Sequence, residues 1–119
     1  MATSNIIQAL CGLDGFIAAA LIDVDDRRVL ASMSQPDFQV DLVSLDNAQI
    51  IRARFDVINA KRKKIPAKCL FFVLSGHYHI VRQVSVCQEI FIYLIIDQYH
   101  GDLTQARMAV KHMDALIRV

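Results

Sequence analysis

Two histidines one residue apart, His77 and His79, are the nearest this sequence comes to a metal site. On a strand, alternate residues share a face, so both imidazoles would point the same way. A zinc site wants about three or four protein ligands, and only Cys69 or Cys87 could approach to complete one. The pair therefore reads as polar residues beside a turn, and no metal is expected. Asp23, Asp25 and Asp26 resemble the opening of a calcium loop. Counted from Asp23, however, the sixth and twelfth places hold Arg28 and Ser34 instead of glycine and glutamate, which leaves a solvated hairpin tip. The glycines are Gly12, Gly15, Gly76 and Gly101, and no phosphate-binding or dinucleotide fingerprint can be drawn through them. For nucleophilic catalysis a cysteine near a histidine is the remaining option. Cys87, between Val86 and Gln88, reads as an inert thiol. Carboxylate pairs for acid–base work are scarce: Glu89 is the only glutamate, and Asp97 sits at a strand end. No catalytic residue, cofactor or enzymatic activity is expected.

One charged feature stands out: Lys61, Arg62, Lys63 and Lys64, with Lys68 close by. Cations suit a helix C-terminus, where the macrodipole favours them. The same cluster, with Arg52 upstream, is a candidate contact for an acidic patch on a partner or for anionic lipid. Net charge is only +1, distributed unevenly: residues 1–60 carry eight acids and four Lys/Arg, residues 61–119 four acids and nine Lys/Arg. That asymmetry falls short of the clustered basic stripe that nucleic acid requires.

The elements that position these residues follow from periodicity. At 119 residues the chain has room for one domain, 1–119. Hydrophobic residues make up 55%, which suggests a sheet covered on both faces or a face reserved for a partner. No apolar run approaches the roughly 18 residues of a membrane span, and MATSNIIQ lacks the form of a signal peptide, so a cytoplasmic protein is the default. Cys11, Cys69 and Cys87 are odd in number and unpaired in spacing, and read as reduced thiols.

A short helix capped by Ser4 presents Ile6, Ile7, Leu10 and Cys11, and Gly12 ends it. Residues 16–23 form a strand, Val24 to Arg27 a hairpin loop, and Arg28 to Ser34 the return, with Val29, Ala31 and Met33 alternating against Arg28, Leu30 and Ser32. After the loop at Pro36, a long helix begins at Asp41 or Ser44 and runs to about Lys61. Its stripe is Leu45, Ala48, Ile51, Phe55 and Ile58, with Ile50 and Val57 beside it and Arg54 interrupting. That apolar face is wider than one sheet contact needs. Pro66 stops it. A three-strand meander follows over 67–97, with turns at Ser75-Gly76 and near Cys87-Gln88-Glu89. Asp102 caps a last helix with a core stripe of Leu103, Ala106, Val110, Met113 and Ile117. The order α-β-β-α-β-β-β-α predicts an α+β fold, one five-stranded antiparallel sheet with helices on both faces.

This order resembles the roadblock family of dynein light chains and bacterial GTPase regulators, a profilin-like architecture. The likeness rests on Leu13-Asp14-Gly15-Phe16 feeding the first strand, the hairpin from Asp25 to Ser32, and Asp102 to Arg107 opening the last helix. The resemblance implies dimerisation through the long second helix and the third strand, as a homodimer or with a second roadblock-like chain. It also implies a platform for a small Ras-like GTPase or a scaffold in a larger complex. Transferred to this sequence, the expected interface is Ile51, Arg54, Phe55 and Ile58 on the helix with Lys68, Leu70, Phe72 and Leu74 on the strand. An edge strand as apolar as 69–74 also needs a partner on physical grounds. The expected partner contacts are Arg52 and Lys61 to Lys64. The alternative is a small-molecule sensor with a cavity between sheet and helix lined by Ala18, Ala20, Ile92 and Leu94.

Overall fold

The structure is a computed structural model and describes residues 3–36, 38–61 and 68–117, with side chains at 5–36, 38–40, 46–57 and 68–117. Its elements run α1 (Thr3–Gln8), a 3-10 turn (Ala9–Gly12), β1 (Phe16–Asp23), β2 (Arg28–Ser34), α2 (Val40–Lys61), β3 (Cys69–Leu74), β4 (His77–Gln83), β5 (Ile90–Asp97) and α3 (Leu103–Leu116). The five strands form one sheet in the order β2-β1-β5-β4-β3, every pairing antiparallel. This is the α+β sandwich that the element order implies. β1 and β5 are apolar on both faces because both faces are covered. Residues Ala19, Leu21, Ile92, Leu94 and Ile96 pack with Ile6, Ile7 and Leu10 of the first helical segment and Ala106 and Val110 of α3. Residues Ala18, Ala20, Ile22, Phe91, Tyr93 and Ile95 pack with Ala48, Ile51 and Phe55 of α2.

That division corrects the expected ligand cavity. Ala18 and Ala20 face α2, whereas Ile92 and Leu94 face α1 and α3, and all four are fully buried in packed clusters. They line no common space. The small alanines bring α2 close to the sheet instead.

The turns show what the polar breaks do. Ser75 and Gly76 both take positive φ, 55° and 80°, which is the two-residue turn that suits the twist of a hairpin. At the β1–β2 tip, Asp23 Oδ1 accepts hydrogen bonds from the backbone N–H of Asp25 (3.1 Å) and Asp26 (3.0 Å). The lead carboxylate of the calcium-like triplet thus folds the loop. Gly15 (φ 74°) lies so close to Gly101 that a Cβ there would meet its backbone nitrogen at 2.7 Å. Gly15 O also accepts from Asp97 N at 2.7 Å, which clamps the start of β1 to the turn before α3. Asp102 caps α3 through Gln105 N at 3.0 Å, as its residue type predicts.

Two expectations need correction. Strict alternation in β2 fails because the register shifts between Leu21 and Ile22. This bulge sets Leu30 and Ala31 toward α1 and α3 together, and Val29 toward α2. The second turn of the meander starts ahead of Cys87: β4 ends at Gln83, and Val84 to Glu89 close a turn with Cys87 N on Val84 O (3.3 Å) and Ile90 N on Cys87 O (3.1 Å). Among the described residues, no helix is long and apolar enough to cross a membrane.

Candidate protein-interaction site

β3 is an edge of the sheet, paired only with β4, in an unbroken register from Cys69↔Arg82 to Leu74↔His77. Among the described residues no strand pairs with its outer backbone edge. Leu70 and Phe72 turn toward α2 and pack at the margin of the core, while Cys69 turns to the other face. Phe71 (48% exposed), Val73 (50%) and Leu74 remain open. Across from this strand, α2 presents Ile50 (61%) and Val57 (56%) to solvent. Between helix and strand lies a groove of about 420 Å³ lined by Asn47, Ile50, Ile51, Arg54, Leu70 and Phe72, among others.

The sequence-expected interface residues fall into distinct places. Arg54, Leu70 and Phe72 line the groove, Ile51 forms its nearly buried base, and Leu74 is half-exposed at the end of the strand. Lys68 precedes the strand, and its carbonyl accepts from Gln83 N at 2.9 Å. Phe55 is a correction. It is fully buried against Phe91, ring centroids 5.1 Å apart, and has no surface left for a partner. The helical spacing that made it look like a seam residue is the spacing that turns it inward. Ile58 and Lys61 lie on α2 with side chains outside the described set, and Arg62, Lys63 and Lys64 lie outside the described residues. Arg52 is engaged within the chain: it pairs with Asp25 at 3.2 Å and Asp56 at 3.6 Å. A partner carboxylate would have to compete with both.

The wall of the groove rests on a buried polar chain that local patterns did not reveal. Asn47 Nδ2 donates to the Tyr93 hydroxyl at 3.1 Å, and that hydroxyl lies 2.6 Å from His79 Nδ1. With Asn47 donating to its oxygen, the Tyr93 hydroxyl places its own proton when it donates to a neutral His79 that carries its proton on Nε2. Burial holds the His79 pKa down at about 4, from an ordinary 6.5, and the neighbouring His77 adds to this. Burial pushes Tyr93 up to about 12, against the opposing effect of the Asn47 hydrogen bond. Phe72 stacks on the His79 ring at 4.9 Å. His77 and His79 thus share a face, as expected, but the arrangement supports the strand edge. Among the described residues no three His, Cys, Asp or Glu side chains converge on a metal-sized site. A buried tyrosine hydroxyl in an apolar strand was the one available signal, since it must find a partner.

On the opposite face, Asp114 of α3 is nearly buried. It accepts from Arg82 Nε (2.8 Å), Ser85 N (2.8 Å) and Ser85 Oγ (2.7 Å). Burial pushes this carboxyl up, but the bonds from Ser85 and Arg82 together outweigh it and hold the pKa below the ordinary range. The cluster pins the end of α3 to β4 and the turn after it.

No protein-family model matches the sequence. No curated protein matches it either. Solved structures do. A Roadblock/LC7 domain from Streptomyces avermitilis superposes with a TM-score of 0.80 at 8% identity, over 99% of this chain and 96% of that one. MglB of Myxococcus xanthus gives 0.77 at 12% identity, over 94% and 88%. A structure of MglB with a tetrameric arrangement gives 0.75 at 14% identity, over 94% and 82%. Identities this low carry the fold and leave function to be argued separately. With its sheet order, its helices on both faces and these similarities over nearly its whole length, the chain has the roadblock fold.

Proposed function

We propose that this chain is a non-enzymatic regulatory or scaffold module that works as a dimer and offers the paired surface to a small Ras-like GTPase or a larger complex. The observation that carries the reading is the bare, apolar edge of β3 beside the open α2–β3 groove. A second copy, or a second chain of the same fold, would pair its own β3 antiparallel with this one. Helix α2 would then lie beside its counterpart through Ile50, Arg54 and Val57. A two-fold axis makes such a contact self-complementary and closed. Each half-exposed apolar side chain has roughly 1 kcal/mol of burial still to gain. The tetrameric arrangement of one structurally similar MglB supports self-association of this fold.

In this reading the chain acts by shape. It would favour one conformation of the GTPase's own catalytic loop and supply no arginine finger. The basic cluster of Lys61, Arg62, Lys63 and Lys64 is proposed as an encounter surface for an acidic patch. The test is titration of the purified chain with a bacterial motility- or polarity-type Ras-like GTPase, loaded with GDP or with a non-hydrolysable GTP analogue. The expected result is binding in one nucleotide state, weakened about tenfold by reversing Lys61, Arg62 and Lys63 to glutamate. Equal or absent binding in both states removes the GTPase from the account.

A further inference from the structure

α3 packs chiefly on β4 and β5 and has at most marginal contact with β3, near Cys69. The sheet therefore extends one strand past its helical cover, and the side chains of β3 on this face are Cys69, Phe71 and Val73. Thr104, Arg107, Met108 and Lys111, at three- and four-residue spacing, form the helical wall above that shelf. With Cys69 and Arg82 they enclose a groove of about 260 Å³, on the face opposite the α2–β3 groove.

Its cations are unequal. Arg82 is committed to Asp114. Arg107 and Lys111 are exposed, and neither forms an ion pair among the described residues. Beside them Met108 is 67% exposed. The groove thus combines two unneutralised cations with the exposed Met108 and the Cys69 end of β3.

We infer that this groove binds an acidic, partly apolar segment of a partner protein. Carboxylates of the segment pair with Arg107 and Lys111, and an apolar side chain seats against Met108 and Cys69. Charge complementarity selects an acidic occupant. The concave shape, set between a strand and a helix, excludes a flat bilayer surface. The exposed Met108 distinguishes a peptide from a free phosphate, which would leave that side chain in water. The inference does not rest on the GTPase reading. Pairing at β3 would use the backbone edge and the α2 side, so both surfaces can be occupied together.

The test uses the full chain and a fluorescently labelled synthetic peptide of interspersed glutamate and leucine. The controls are the same peptide with lysine for glutamate, inorganic phosphate and phosphatidylserine vesicles. Anisotropy is expected to show binding of the glutamate peptide alone, weakening with added salt. The R107E/K111E double variant should bind at least about tenfold more weakly, with unchanged circular dichroism and solution mass. R107K/K111R should retain binding. Amide shifts in an NMR titration should cluster at residues 104–111 and 69–73. The inference is overturned by absence of peptide binding, by equal binding to the charge-reversed chain, by shifts confined to α2, or by vesicles or phosphate competing as well as the peptide.

Discussion

The two edges of the sheet are built on opposite principles. β2 carries Arg28, Ser32 and Ser34, takes a bulge against β1 and runs into Pro36 within two residues. Each of these features discourages another strand from adding to an edge. β3 reads Cys-Leu-Phe-Phe-Val-Leu from Cys69 to Leu74, with no charge, no proline and no register shift. One edge is protected against pairing and the other is left ready for it. A hydrophobic edge retained beside a protected one, with an open groove along its flank, is what a built-in pairing surface requires. The difference is what the proposed pairing at β3 requires of the exposed apolar residues there.

The sharpest way to break this comparison is a proline. Phe72→Pro removes a backbone donor from β3 and also takes the ring off His79, so self-association should weaken by at least about a hundredfold. Equilibrium sedimentation checks this, with circular dichroism confirming that the sheet survives. A Phe72→Pro chain that folds and still dimerises would assign the contact to another surface.

Acid offers a second probe, because only the β3 side is underpinned by a buried imidazole. The fold holds His79 neutral, with a pKa of about 4 against an ordinary 6.5. Protonation therefore favours the unfolded chain. This contribution is complete above pH 6.5 and is lost as pH falls toward 4, by up to about 3 kcal/mol. Urea denaturation across that window should show the loss, and His79→Leu should flatten it. An unchanged slope in His79→Leu would mean that other groups carry the acid sensitivity.

A milder test places the same charge on each edge. Leu74→Lys should weaken self-association about tenfold, because a half-exposed apolar contact on the α2 side gives way to a cation. Ser32→Lys on β2 should leave it within about threefold. Equal effects would erase the distinction between the edges.

The fold was legible in the sequence because its elements are locally encoded. Period-two runs, a wide helical stripe, the Ser75-Gly76 turn and the Asp102 cap each speak for themselves within a few residues. What periodicity could not supply is pairing between distant elements. Asn47 meets Tyr93 and Arg82 meets Asp114 only because the sheet brings α2 and α3 over their strands. The bulge beside Leu30 was hidden for a related reason, since an extra residue in one strand is visible only against its partner. At the candidate site, the apolar edge and the width of α2 could be read directly. That Phe55 turns inward while Ile50 and Val57 stay out depends on where α2 sits on the sheet, and spacing alone does not encode that. The acidic-segment groove escaped notice because Arg107 and Lys111 look like ordinary solvated helix charges until β3 is seen to outrun α3.

The central claim is that β3 is a pairing edge, and the mass of the chain in solution tests it most directly. Light scattering across micromolar concentrations should give twice 13.4 kDa for the homodimer. A chain that takes up a second, different roadblock-like partner should show the corresponding sum once that partner is added. A mass of 13.4 kDa that persists at every concentration, alone and with such a partner, would contradict the account.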